Sequence, residues 1–501
     1  MEQTLRLRRE LVVELGADAS AIKDPLLTRT VTLGPTGIAM VDKLDGTRDA
    51  NGIVSELLAA GIARVNIEDT LRSFTLLHLI EGIGDGVRDR IAAIWRGEVQ
   101  LEYLSLPETR FACQASGLCC RSYRLGPVSA EEQAAIAALP LREAMPDLPE
   151  GALFVQRDDK LYLNTVSARC VFLRPNGHCG IHAHFGEEVK PLTCKFYPIG
   201  VQPTFEGERL YNNQHCASHF VSQGRGETLV ESARLLRPKS TGPTTLFHPI
   251  VFVREDTPVD YSHFLYLEAA LRETVSRGAP FEQLARGLDV LDAFVAAARS
   301  LPLGADPAPV LARWRDEIAP RAPEGPADWV LVVDMFAQLV GEITGFLGAV
   351  DGIENDDRNM APLARELLPV LEHLHRRALA CAGHDALIDH EVEAAVAGAD
   401  DIAGALRTSM SQVFYGRLGL PDDRPLFALG QMAIAIATGF AGAQRIAAAE
   451  HRTYGIADLS RGHALANRVL PTFTTPYFKH NPDRARALVR VLPQLARWPR
   501  S

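Results

Sequence analysis

Seven of the chain's eight cysteines lie between Cys113 and Cys216, a window of only about a fifth of its length. They stand in FACQASGLCCRSY (Cys113, Cys119, Cys120), RCVFLRPNGHC (Cys170, Cys179), PLTCKFYP (Cys194) and NNQHC (Cys216), with Cys381 alone far downstream. Thiols crowded in this way cross-link, ligate or lie inert, and each outcome dictates a different local fold.

Compartment decides among them. The opening run MEQTLRLRRELVVELG is charged throughout and has no apolar centre of the signal-peptide kind. The most apolar stretch, Leu426–Ala443, is interrupted by Gln431, Thr438 and three glycines, so it reads as a buried helix rather than a membrane span. A cytoplasmic protein is expected, with no membrane partner. In a reducing compartment clustered cysteines are thiols, and a cluster of thiolates persists when it holds metal. The adjacent pair Cys119–Cys120 suits neighbouring ligand positions better than disulfides. A formal net charge of −10 argues against a general nucleic-acid binder.

With 501 residues, 47% of them hydrophobic and 23% charged, the chain exceeds one core. A mainly α protein in three parts is expected. Residues 1–100 read as a small winged-helix-like module. Apolar sets Ile38/Val41/Leu44, Ile53/Val54/Leu57/Leu58 and Ile67/Leu71/Phe74/Leu77 recur at helical spacing, ending at Asp45-Gly46, Gly61 and near Gly82. Thr30–Leu33 reads as extended. The candidate third helix carries only Arg72 as a base, which disfavours DNA binding. Residues 101–225 are rich in Gly, Pro and short polar turns, and metal ligation would supply folding free energy that so irregular a segment lacks, about 10 kcal/mol or more. Residues 226–501 read as a helical bundle. Helices are expected at 264–276, 281–298, 329–350, 361–381, 388–397, 425–449 and 484–496, with Asp334, Gln338 and Glu342 on one face.

The candidate ligands are Cys113, Cys119, Cys120, Cys170, Cys179, Cys194 and Cys216. A closed zinc site is typically built on short C-x2–4-C knuckles, which are missing here. An iron–sulfur cluster takes four thiolates at varied spacing. The C-x3-C-x2-C run of radical S-adenosylmethionine chemistry is absent. One cluster with spare thiols and a cluster with a separate mononuclear site both fit the spacing, and His178, His182, His184 and His215 lie near in sequence.

The pattern F-x-C-x5-CC, C-x-FL-x3-G-x-C-x-IH and KPLTCKFYP resembles the YkgJ-type cysteine-cluster family of zinc- or iron-chelating proteins. Through HAHFGEEVKPLTCKFYP and the later Cys216 it is most similar to flagellin lysine N-methylase-like proteins. The run ADLSRGHALANRVL resembles their C-terminal helices. The resemblance implies a cysteine-bound 4Fe–4S cluster and transfer of a methyl group from S-adenosylmethionine to lysine amines of a polypeptide. The chain lacks those proteins' additional upstream cysteine, and Lys195 replaces the arginine that commonly follows Cys194. The order VTLGPTGIAMVDKLDGTRDANGIVSELL resembles PqqD-like modules, which recognise leader peptides. A polypeptide substrate or partner follows from both resemblances. A non-catalytic zinc- or iron-binding protein that docks a polypeptide is the alternative.

Other features have plainer readings. Gly82-Ile-Gly84-Asp-Gly86 follows a helical pattern rather than a strand and reads as a turn, not a cofactor loop. Glu372 and His375 form one Glu-x-x-His pair where a di-iron bundle needs two, so they read as a solvated face. His182 and His184 suit ligation or hydrogen bonding equally. Glu187, Glu188 and Lys190 suit either tuning of a thiolate cluster or an exposed turn. Tyr197 reads as packing and Cys381 as a small buried residue. Arg484, Arg486, Arg490, Arg497 and Arg500 could meet an acidic partner or simply complement a helix end.

Overall fold

A computed structural model describes residues 3–16, 19–107, 109–222, 225–236, 250–254, 257–318, 328–350, 360–383, 398–416 and 425–495. It is mainly helical, with 57% helix and 13% strand. The expected helix at 388–397 lies outside the described residues, as do Arg497 and Arg500.

The first part opens with an antiparallel sheet of Val12–Glu14, Ser20–Asp24 and Arg29–Leu33, the last forming one edge. Helices Pro35–Val41, Ala50–Ala59 and Arg64–Leu76 follow. Their apolar faces meet the sheet in a core of Ile22, Leu33, Met40, Ile53, Leu57, Ile67, Leu71 and Phe74. The three helices sit where the periodicity puts them. The first two strands escaped the reading because each is short and offers little alternation. The third helix ends at Leu76, short of Gly82. Gly82 and Gly84 adopt positive φ of 84° and 71° in a turn that starts helix Asp85–Trp95, so the glycine-rich run is a turn as expected.

From residue 229 onward helices dominate. A hairpin of Ile250–Arg254 and Thr257–Asp260 interrupts them, against the expectation of an all-helical tail. Tyr261–Val275 and Pro280–Arg299 form the expected pair, separated at Gly278. Pro307–Glu317, Trp329–Val350, Ala361–Cys381, Ala399–Gly416, Pro425–Ala449, Ile456–His480 and Pro482–Leu495 complete the bundle. Two of these, Trp329–Val350 and Pro425–Ala449, are long and apolar enough to cross a membrane. The apolar window of the second is 94% buried, so it is the centre of the bundle. There Gly439 and Gly462 let two helices touch: a Cβ on Gly462 would lie 2.8 Å from the Gly439 carbonyl oxygen. Asp334, Gln338 and Glu342 share an exposed face, as their spacing requires.

Between these parts lies the cysteine-bearing segment, made of strands of two to five residues, hairpins and helices of one or two turns. Its own core is small: Leu125, Val128, Ile136, Leu141, Met145, Leu148, Leu163, Val171, Phe172 and Ile181, with Cys170 among them.

Candidate functional site

All seven clustered cysteines line one cavity of about 750 Å³. Distant stretches of sequence converge there, and the backbone explains how. Gly117 (φ 66°) and Gly177 (φ 84°) press their backbones together, since a Cβ on Gly177 would sit 2.7 Å from the Ala115 carbonyl oxygen. Only residues without side chains tolerate both the left-handed conformation and this approach. The contact sets the loop carrying Cys113, Cys119 and Cys120 against the turn carrying Cys179. That turn is closed by Arg174 N–H donating to the His178 carbonyl at 3.0 Å and Gly180 N–H to that of Phe172 at 2.7 Å. Cys170 ends a hairpin strand paired with Thr165.

Cys194 sits on the short helix Leu192–Phe196, where its N–H donates to the Pro191 carbonyl at 2.9 Å. Glu132 anchors this helix by accepting from Leu192 N–H at 2.6 Å. Cys216 comes from a turn beside Cys113. Gln114 N–H donates to Ser218 Oγ at 2.9 Å, and Ser222 Oγ donates to the Ala112 carbonyl at 2.9 Å. Two thiols also accept backbone N–H groups, Cys113 from Ala115 and Cys216 from Ser218, both at 3.4 Å.

Cys113 is exposed, Cys119, Cys120, Cys179 and Cys194 are half-buried, and Cys170 and Cys216 are buried. Burial raises the thiol pKa of Cys113 and Cys170, and carries those of Cys194 and Cys216 to about 12. Cys119 moves the other way, to about 7, chiefly because Cys120 hydrogen-bonds to it across 3.8 Å. Lys190 assists, its positive charge favouring the thiolate. The Lys190 side chain is only 13% exposed and lies 3.8 Å from Glu187, and both residues line the cavity. Lys195 lines the cavity as well, so two cations stand beside the thiols, a placement that sequence spacing left undecided. Glu188 is not on the cavity wall: its carboxylate lies against Gly186, and its backbone carbonyl accepts from Lys195 Nζ at 3.1 Å.

His178 and His182 are exposed on the cavity wall. His184 is not on it and lies 2.8 Å from an Arg174 guanidinium nitrogen. His215 pairs through Nδ1 with the Tyr123 hydroxyl, beside the cavity rather than in it. Tyr197 lines the wall and packs on Tyr123 at 5.2 Å, with its hydroxyl buried.

Outside the cavity one expectation is corrected and one open alternative is narrowed. Cys381 is exposed, not buried, because it falls at the last turn of its helix where the apolar face has run out. Arg486 and Arg490 meet partners within the chain, Asp292 at 2.8 Å and Asp289 at 2.6 Å, while Arg484 donates to Gln338 at 3.1 Å. Glu372 and His375 are half-buried on their helix, and Asp334 and Glu342 are exposed.

A single metal ion would need tighter convergence. Among the described residues no three His, Cys, Asp or Glu side chains stand close enough to hold one ion. Four thiolates on zinc lie about 3.8 Å apart, from Zn–S bonds of about 2.3 Å, and Cys119–Cys120 has that spacing. A polynuclear cluster spreads its thiolates wider, because each binds a different metal atom. Seven cysteines around one cavity therefore suit the donor chemistry of a thiolate-bound cluster, though not a preformed mononuclear site.

No protein-family model matches this chain, and no curated protein or solved structure shows significant similarity to it.

Proposed function

We propose that the cysteine cavity holds an iron–sulfur cluster and that the protein modifies a side chain of a polypeptide in the cytoplasm. The observation that carries this reading is the convergence of Cys113, Cys119, Cys120, Cys170, Cys179, Cys194 and Cys216 on one cavity. Its volume falls within the range of small-molecule sites, roughly 300–1,000 Å³, leaving space for a co-substrate. Methyl transfer from S-adenosylmethionine to a lysine amine is the reaction the YkgJ-type and methylase resemblances imply. Such a transfer breaks the sulfonium S–C bond as the C–N bond forms, with the electron pair returning to sulfur. The amine must shed a proton, and Glu187 and Glu227 are the carboxylates on the wall to receive it. Lys190 offsets the negative charge of the thiolates.

Support for a polypeptide partner comes from the first part of the chain, in keeping with its PqqD-like order. A groove of about 380 Å³ runs between the edge strand Arg29–Leu33 and helix Arg64–Leu76, lined by Val31, Thr32, Leu33, Asn66, Thr70 and Ser73. An extended peptide can add to such an edge through main-chain hydrogen bonds.

The second reading, a structural zinc or iron in a non-catalytic docking protein, is favoured by the small core of the cysteine segment, which metal would help to fold. Anaerobic purification with iron, sulfide and zinc analysis and a visible spectrum separates the two. Broad visible absorbance with iron and sulfide is expected; a colourless protein with one tightly held zinc overturns the cluster. Calorimetry with S-adenosylmethionine on the loaded protein tests methyl transfer, and no heat at high micromolar ligand rejects it.

A further inference from the structure

The cavity wall that carries Cys216 is held from outside the cysteine-bearing segment. Residues 213–222 form a run of turns with neither strand nor helix to fix them. Cys216 N–H donates to the Asn213 carbonyl at 3.0 Å, His219 N–H to that of Cys216 at 3.0 Å and Ser222 N–H to that of Ser218 at 2.9 Å. Gln214, Cys216, Ser218, His219, Phe220 and Ser222 are nevertheless all buried.

On one side this run grips the neighbouring cysteine. Ser218 Oγ accepts from Gln114 N–H at 2.9 Å, and Ser222 Oγ accepts from Ala112 N–H at 3.2 Å. These two contacts flank Cys113, so the run that carries Cys216 also holds the backbone on either side of Cys113.

On the other side it meets two helices of the bundle. Ser460 of helix Ile456–His480 donates to the Ala217 carbonyl at 2.6 Å and accepts from Phe220 N–H at 3.2 Å. One hydroxyl thereby ties both ends of the segment from Ala217 to Phe220. His463 and Arg468 follow on the same helix face. The His463 ring lies 4.7 Å from that of Phe220, and the Arg468 guanidinium sits 4.4 Å over Tyr123, whose hydroxyl pairs with His215. From helix Ala399–Gly416, Ser409 Oγ accepts from Gln214 Nε2 at 3.1 Å and pairs with His219 Nε2 at 2.8 Å. Ser409 and Ser460 are both buried, where a hydrogen-bonding group left without its partner is costly.

We infer that Ser409 and Ser460 are positioning residues of the site: through these two hydroxyls the bundle fixes the 213–222 run and so places Cys216, and with it Cys113, on the cavity wall. Cys170 instead lies in the small apolar cluster around Phe172 and Ile181. The placement is a property of the metal-free chain. Its consequence for a bound cluster rests on the reading of the cavity as an iron–sulfur site. There the Ser218 N–H that meets Cys216 Sγ at 3.4 Å would move with the run, and hydrogen bonds to the sulfurs help to set a cluster's potential.

The test uses the full-length protein. Stripped of metal by chelator, it is pulsed with iodoacetamide and mapped by peptide mass spectrometry. Exposed Cys381 is the reference thiol and buried Cys170 the control. Cys216 is buried, so its labelling reports local opening of the run. Ser460→Ala and Ser409→Ala are each expected to raise the Cys216 rate roughly tenfold, the scale of one lost buried hydrogen bond, and to leave Cys170 unchanged. Should one of them fail to fold, the other carries the same comparison. Ser460→Thr, which keeps the hydroxyl, is expected to label like wild type. In the loaded protein the alanine variants are expected to keep their metal content and shift its reduction potential. An unchanged Cys216 rate, equal acceleration at Cys170, a threonine variant as fast as the alanine one, or an unchanged potential overturns the positioning assignment. A wild-type protein that takes up no iron overturns the cluster reading instead, and the Cys216 comparison then decides the placement alone.

Discussion

Two buried polar clusters in this molecule are built on opposite plans. Where the first part of the chain meets the helical bundle, Asp24, Arg29, Arg88, His78, Asp260 and His263 are all buried. Each charge finds its counterpart within the chain. Arg29 lies 3.2 Å from both Asp24 and Asp260, and Arg88 lies 2.6 Å from Asp24. His78 and His263 are 3.1 Å apart at their Nε2 atoms, and His263 Nδ1 lies 2.9 Å from the Leu76 carbonyl. In the cysteine cavity seven sulfurs instead face a shared space, with Lys190 and Lys195 on its wall. A closed polar cluster finishes its electrostatics by folding; an open cluster of thiols leaves donor capacity directed at something outside the chain. The first is a joint and the second has the character of a site.

The largest effect is expected from the open cluster. Replacing Cys170 and Cys194 together by Ser should abolish metal binding and remove folding free energy on the order of 10 kcal/mol from the middle segment. Hydrogen exchange should show residues 119–200 losing protection while Pro425–Ala449 and Ile456–His480 keep theirs. Protection lost equally in both would show that the cavity is part of the global core.

Breaking the closed cluster should cost less and spare the metal. Asp260→Ala leaves Arg29 and His78 buried without their shared carboxylate, an effect of about 3–5 kcal/mol by thermal or denaturant unfolding. Metal content should not change; if it falls, the two clusters are coupled.

Acid should probe the closed cluster more gently. Burial, opposed by Asp260, lowers the His78 pKa from its ordinary 6.5 to about 3, so the folded protein holds this ring neutral. The unfolded chain takes up a proton below its ordinary pKa and the folded chain does not. Stability from this group is therefore complete above pH 6.5 and is lost as pH falls towards 3, at up to about 1.4 kcal/mol per pH unit. His78→Gln should flatten the fall in melting temperature between pH 6 and 4. An unchanged slope would place the acid sensitivity in other groups. The smallest effect belongs to exposed Cys381: the Ser variant should unfold within about 0.5 kcal/mol of wild type with the same metal content.

Much of the helical architecture was legible because it depends on local periodicity. Ile53/Leu57, Phe264–Ser276, Phe281–Ala298 and Leu426–Ala443 repeat at helical spacing, and the helices lie there. The strands Val12–Glu14 and Ser20–Asp24 were not legible, since they are defined by pairing rather than by their own short patterns. Lys190 and Glu188 look alike in sequence as charges in one turn, yet one lines the cavity and the other does not. Cys381 shows the same limit in reverse: its Ala- and Leu-rich surroundings suggested burial, but its place at a helix end decided exposure.

By itself the sequence determined that this chain is mainly helical and that seven of its cysteines crowd into one short window, because composition and spacing are properties of neighbours along the chain. Tertiary structure alone decided that these cysteines share one cavity and which charges join them. Those are distances between segments up to a hundred residues apart, set by contacts such as Gly117 on Gly177 that no local pattern encodes.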